Sequence, residues 1–176
     1  MNALELLQTG EDAYEKRQYS DAEGYFRQAL TLFEEAGDKE HQAEALNNLA
    51  ATLRQLDKDN EAEPFFQQLV PLCRDCLGSK SPDLAIVLNN VGAFFLDQNN
   101  YSMAEPYYDE ARSILELEVN KGHAGYIIIL DALSRIYELT GRAIEAAQLT
   151  QEVAALKKPQ TSSGSISESF KIESES

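Results

Sequence analysis

Two strings recur along this chain at a fixed interval. Leu46-Asn47-Asn48-Leu49-Ala50 returns as Leu88-Asn89-Asn90-Val91-Gly92. Each is followed, 14 residues after its first Asn, by a second shared string: Glu61-Ala62-Glu63-Pro64-Phe65-Phe66, then Met103-Ala104-Glu105-Pro106-Tyr107-Tyr108. Fainter copies flank these two, from Ser20 to Phe26 upstream and Ile144-Glu145-Ala146-Ala147 downstream. Ala22, Ala62, Ala104 and Ala146 stand 40, 42 and 42 residues apart. A period of about 40 residues marks stacked supersecondary units, none of which buries its apolar face alone. Arrays of this kind present an extended surface, so the functional question becomes what that surface holds.

Within each period the apolar residues recur at helical spacing: Leu46, Leu49, Leu53 and Leu56 on one helix, Leu88, Val91, Phe95 and Leu96 on another. Polar stretches, Asp57 to Asn60, Gln98 to Asn100 and Thr140 to Arg142, break each unit into two helices, as Asn and Asp favour caps and turns. The spacing predicts eight helices in four antiparallel hairpins, 2–36, 40–77, 82–119 and 123–157, forming one domain over residues 1–158. Small residues at Gly10, Ala50, Gly92 and Ser134 let the helices of a hairpin approach closely. The large Phe26, Phe66 and Tyr108 then fill the space between hairpins. Pro64 and Pro106 are expected in a first helical turn, where a missing N–H costs little. Pro71, deep in its helix, predicts a kink or break at 67–71. Residues 159–176 are rich in Ser and Glu and read as a disordered tail. With no polar capping helix evident, the last helix is expected to expose Leu149, Val153 or Leu156.

At these residues the chain resembles the tetratricopeptide repeat family, in the longer repeat found in kinesin light chains and their bacterial relatives. That repeat runs from LNNLA through a turn to EAEP with an aromatic, then a Leu-Gly linker, for which Leu77-Gly78 and Ser81-Pro82 stand here. The resemblance spans residues 2–157. It is strongest in the middle two repeats; the outer two keep the spacing more than the letters, with Gln8-Thr9-Gly10 and Asp131-Ala132-Leu133 in the Asn positions and Thr150 in place of the aromatic. It implies an all-α, right-handed superhelix of four hairpins whose first helices line a concave groove. The implied activity is non-catalytic adaptor binding of a peptide or helix of another protein. The groove residues it implies are Asn47, Asn48, Arg54, Asn89, Asn90, Asp131 and Arg135. Acids at Glu11, Glu15, Glu44, Asp97 and Glu138 lie among them, as do apolar Ile86, Leu96, Ile128 and Leu139. Asn48 and Asn90 match the family's groove amide, which can grip a peptide backbone because it both donates and accepts. The other reading of these Asn pairs is that they stitch neighbouring helices together.

Charge narrows the partner. With 30 acidic residues against 15 basic, the net charge is −15. This argues against nucleic acid and against anionic membranes, both of which need clustered Lys and Arg. Only Arg54 and Arg135 face several groove carboxylates, so a basic or amphipathic segment fits and an acidic or carboxylate-terminated one does not. No apolar run approaches the ~20 residues of a membrane span, and the start of the chain lacks a basic, cleavable leader, so the expected location is cytoplasmic. Cys73-Arg74-Asp75-Cys76 is a lone C-x-x-C with no second ligand pair, and both histidines fall in linkers, so neither a metal nor a cofactor is expected. No nucleophile–base pair or phosphate loop appears, and no enzymatic activity is expected. Two other functional readings remain open: a small acidic chaperone for an aggregation-prone client, and a module that forms homo-oligomers through its last helix.

Overall fold

The computed structural model describes residues 1–118 and 124–158. The segment 159–176 and the linker at Gly122-His123 lie outside the described residues, and so does the tail expected there. Among the described residues eight helices follow in order: α1 Ala3–Glu15, α2 Tyr19–Ala36, α3 Lys39–Gln55, α4 Asp59–Leu77, α5 Pro82–Asp97, α6 Tyr101–Glu118, α7 Ala124–Leu139 and α8 Ala143–Leu156. They pair as four hairpins in an all-α solenoid.

The four hairpin turns are one turn repeated. Arg17, Asp57, Asn99 and Gly141 take left-handed φ values of +60°, +56°, +58° and +80°. The N–H of the residue after each donates to the carbonyl of Ala13, Leu53, Phe95 or Tyr137 at 2.8–2.9 Å. This closure satisfies the orphan carbonyls at the end of the first helix. Asp, Asn and Gly enter the left-handed region readily, whereas Arg17 does so at a cost. Between hairpins the caps vary. Asn2 and Glu5 bond each other reciprocally to start α1, and Ser81 Oγ accepts from Asp83 N with Pro82 in the first position of α5.

The prolines sit deeper than the sequence spacing predicts. Pro64 and Pro106 are the sixth residues of α4 and α6, beyond the first turn. Of the kink or break expected at 67–71, the break does not occur: α4 runs through Pro71 to Leu77. Each proline deprives the carbonyl four residues earlier of its donor. All three are exposed, as are Asn60, Ser102 and Gln67, whose carbonyls lose that donor, so each gap in the helical ladder falls at the solvent-facing side.

Packing within a hairpin follows from small residues. A Cβ added to Gly10 would lie 2.6 Å from Cε1 of Phe26, and one on Gly92 would lie 2.9 Å from Cε2 of Tyr108. Ala50 and Phe66 hold the same positions in the second hairpin, and both are buried. In the fourth, Ser134 and Thr150 replace the pair and share a hydrogen bond of 2.9 Å between their hydroxyls. Gly92→Ala is expected to lower stability by about 1 kcal/mol, because overpacking at ~1–3 kcal/mol outweighs the ~1 kcal/mol helix preference of alanine. In a Tyr108→Leu background, where the ring is gone, the same change should stabilise. Urea melts of the four proteins check this.

Successive hairpins also lean on one another unequally, most broadly between α2 and α3 and least between α4 and α5. Among the described residues the first helices approach each other directly at two of the three joints, α1 on α3 and α5 on α7, whereas α2, α4, α6 and α8 make no comparable contact among themselves. A stack closer on one side than the other curves, so the first helices lie on its inner surface. On the outer side, ion pairs bridge repeats: Lys58 to Glu23 at 2.7 Å, Arg27 to Glu61 at 2.8 Å, Arg74 to Glu110 at 2.6 Å and a bidentate Arg142–Glu105 pair at 2.7 Å. Burial works to raise the Glu23 carboxyl, but hydrogen bonds from Lys58 and Arg27 prevail and hold it below the usual carboxylate range.

The last helix is built differently from the expectation. Leu149 and Val153 are buried against the preceding elements, and Leu156 is half-buried. The outward face of α8 is instead a stripe of Ala143, Ala147, Thr150 and Ala154, all exposed. Where earlier second helices carry Glu23, Glu63 or Glu105 and then Phe26, Phe66 or Tyr108, this helix carries Ala147 and Thr150. The face that would meet another repeat therefore lacks the large side chain that fills each internal joint.

Candidate functional site

The inner surface is a set of columns running across α1, α3, α5 and α7. Residues one repeat apart on successive first helices form each column: Leu4, Glu44, Ile86 and Ile128; Leu7, Asn47, Asn89 and Asp131; Gln8, Asn48, Asn90 and Ala132; Glu11, Ala51, Ala93 and Arg135. The first-helix period thus sets charged, amide and apolar groups side by side on one face.

The amides are engaged with each other's repeats. Asn48 Nδ2 donates to Glu11 Oε1 at 3.2 Å, joining α3 to α1, and Asn90 Nδ2 donates to Asn47 Oδ1 at 3.2 Å, joining α5 to α3. These bonds are the stitching that was the other reading of the Asn pairs. They leave the Asn48 and Asn90 carbonyl oxygens and one N–H on each uncommitted among the described residues. The Glu11 carboxyl is pushed up by burial and by the Glu44 charge, against the Asn48 hydrogen bond. Arg54 is ion-paired with Asp97 and lies 6.0 Å from the Phe94 ring centroid. Asp131 accepts from Lys157 Nζ at 3.0 Å. Asn89 and Arg135 make no side-chain hydrogen bond or ion pair among the described residues, and Arg135 is exposed. Of the seven groove positions expected, two are thus uncommitted, three are amides bonded between repeats, and two are held in ion pairs.

Leu96 departs from the expected groove strip: it is buried, and the helix reaches the surface through Asp97 instead. Ile86, Ile128 and Leu139 are exposed. Two inner-face residues were not among those expected. Leu4 is exposed and occupies the column of Ile86, and Asp83 lines two inner cavities. The repeat period could have found Leu4, which stands 42 and then 40 residues before Ile86. A third cavity, about 440 Å³, lies between α1 and α3 and is lined by Glu11, Tyr14, Glu15 and Asn48.

The groups that suggest chemistry serve structure. Cys73 is buried, and desolvation followed by the neighbouring Cys76 pushes its thiol up to about 11, so it is not a thiolate at neutral pH. His41 places Nδ1 2.7 Å from Asp38 and stacks on Phe33 at 5.2 Å, at the start of α3. Among the described residues no group of His, Cys, Asp or Glu could hold a metal ion, and no helix is long and apolar enough to cross a membrane.

A curved stack of helical hairpins with a mixed polar and apolar inner face belongs to the class of helical-repeat solenoids. The family model for the tetratricopeptide repeat matches residues 2–75 and 83–158. The chain belongs to the tetratricopeptide repeat family. Comparison with curated proteins finds no match. Among solved structures, BtubC (BKLC) from P. vanneervenii is similar with a TM-score of 0.80 at 18% identity, covering 97% of this chain and 70% of that one. A Podosopora anserina putative kinesin light chain with nearly identical TPR-like repeats is similar with a TM-score of 0.76 at 16% identity, covering 86% and 73%. The apo form of RapI gives 0.77 at 15% identity, covering 88% of this chain and 42% of that chain. At such identities the likeness is one of fold, and the fold is that of kinesin-light-chain-like repeats.

Proposed function

We propose that this protein is a non-catalytic adaptor that captures a peptide or helix of a partner protein on the inner surface of its repeats. Membership of the family supports protein binding in general. The observation that carries the inner-surface assignment is the row of half-buried amides, Asn47, Asn48, Asn89 and Asn90, flanked by the uncommitted Arg135. Such a row offers donors and acceptors to a peptide backbone without reading its side chains. The net charge of −15 and the groove acids favour a basic or amphipathic segment.

The amides double as inter-repeat bonds, so the test needs a variant that leaves those bonds alone. Arg135→Ala serves, beside an Asn48→Ala, Asn90→Ala, Arg135→Ala triple variant. The expected result is a partner retained on the intact chain from lysate, weakened by Arg135→Ala through the loss of guanidinium donors to the segment's carbonyls, and lost with the triple variant at equal helicity. A partner that all three retain would move the binding face to the outer helices and sink the proposal.

A further inference from the structure

Two inner-surface cavities are one site written twice. The first, about 320 Å³, lies between α3 and α5 over the end of α4, and its walls include Glu44, Cys73 and Ile86. The second, about 430 Å³, lies between α5 and α7 over the end of α6, and its walls include Ile86, Leu115 and Ile128. A shift of 42 residues carries the first set onto the second: Glu44 onto Ile86, Cys73 onto Leu115, Ile86 onto Ile128. Ile86 is the wall they share. Ile86 and Ile128 are 60% and 56% exposed. Single exposed apolar residues are ordinary, but two at equivalent positions of adjacent repeats, each bordering an apolar cavity, form a continuous strip.

We propose that this strip docks a basic amphipathic helix of a partner protein, with two large apolar side chains seated in the two cavities and basic residues beside them. The proposal rests on the inner surface being the binding face. Charge complementarity selects the occupant. Glu40, Glu44 and Asp83 rim the cavities, and none of them is paired with a described Lys or Arg. Spacing selects its conformation. Ile86 and Ile128 stand on α5 and α7, which touch, and packed helices lie about 8–10 Å apart, so apolar side chains seated against the two isoleucines are separated by about that distance. In a helix, residues i and i+7 share a face and are about 10.5 Å apart. In a strand, same-face residues are about 6.8 or 13.6 Å apart, too near or too far.

Two synthetic Lys-rich helical peptides of equal composition test this, one with its two Leu residues at i and i+7, the other at i and i+4. Both are titrated into the intact chain at physiological salt, with methyl NMR of the isoleucines. The i,i+7 peptide is expected to bind about tenfold more tightly, the value of filling the second cavity with an apolar side chain, and to shift the Ile86 and Ile128 methyls. Ile86→Asp, an exposed substitution, should abolish the preference while leaving the attraction for Lys. Equal affinities, or a preference that survives Ile86→Asp, overturn the proposal. If the inner-surface variants lose the lysate partner while the peptides show no preference, the inner face stands and this strip does not. If peptide shifts fall only on outer helices, both fail.

Discussion

Phe66→Ala should remove about 3–5 kcal/mol of stability and split one unfolding transition into two. Phe66 is 1% exposed, at the joint between the second and third hairpins. Its ring lies 4.8 Å from that of Phe94 on α5, which lies 5.1 Å from Phe95, which in turn stacks on Tyr107 of α6 at 5.8 Å. One aromatic chain therefore runs from the second hairpin through the third. It crosses the joint between α4 and α5, the thinnest in the array. In a repeat protein, stability is a sum of unit and nearest-neighbour energies, so weakening the weakest joint costs cooperativity as well as stability. The loss is a large fraction of the whole stability of a typical domain, about 5–15 kcal/mol. Urea melts followed by circular dichroism and by tyrosine fluorescence should give coincident transitions for the intact chain and separated ones for the variant. Coincident transitions shifted by less than about 1 kcal/mol would show that the joint is held elsewhere.

The repeat and its packing were legible because both are properties of single positions. A small residue at 10, 50, 92 and 134 opposite a large one at 26, 66 and 108 can be read from letters and spacing alone. Which side chains share a helical face was legible for the same reason, since counting around one helix tells which of them point together. What the letters do not carry is how far one repeat is rotated and shifted against the next. That offset decides that Asn48 meets Glu11, that Asn90 meets Asn47, and that Arg54 meets Asp97. The letters therefore describe a face, and the engagement of its members is set by the stacking. Leu96 shows the limit at one residue: it sits on the edge of the helical face, and only the closeness of neighbouring helices buries it. Leu149 and Val153 show the reverse at the array's end. Both are buried on a helix that packs on α7 of its own hairpin, and the face that earlier second helices turn to the next repeat is on α8 the Ala147 and Thr150 stripe, so the lack of a capping helix does not bare them.

The last hairpin is tied on by Tyr126, and removing its ring should cost about as much as removing that of Phe66. Tyr126 is fully buried, and its hydroxyl lies 2.7 Å from Glu116 Oε1 on α6 and 3.2 Å from Glu152 Oε1 on α8. The single O–H proton is donated mainly to the nearer carboxylate, and the ring packs in the core between helices. Tyr126→Ala is expected to cost about 3–5 kcal/mol. Tyr126→Phe keeps the ring and loses the hydroxyl. Its cost should fall near the low end of the ~1.5–3 kcal/mol for hydrogen bonds to charged groups, because Glu116 is partly exposed and also accepts from Arg112 at 3.2 Å. The pH dependence separates the hydroxyl from the ring. Burial first, then the Glu116 hydrogen bond and charge, hold the Tyr126 hydroxyl above the ordinary tyrosine value of 10.0. A group whose pKa is raised by folding contributes stability that is full below its unfolded pKa and lost as pH rises through the folded one. The advantage of the intact chain over the Tyr126→Phe variant should thus be constant from about pH 6 to 9 and shrink above about pH 10. Tyr108, pushed up to about 12 by burial and then Asp97, weakens both proteins alike in that range and cancels in the difference. Urea midpoints of the two proteins from about pH 6 to 11 give the answer, and a gap that stays constant across that whole range would mean that the hydroxyl contributes nothing through its proton.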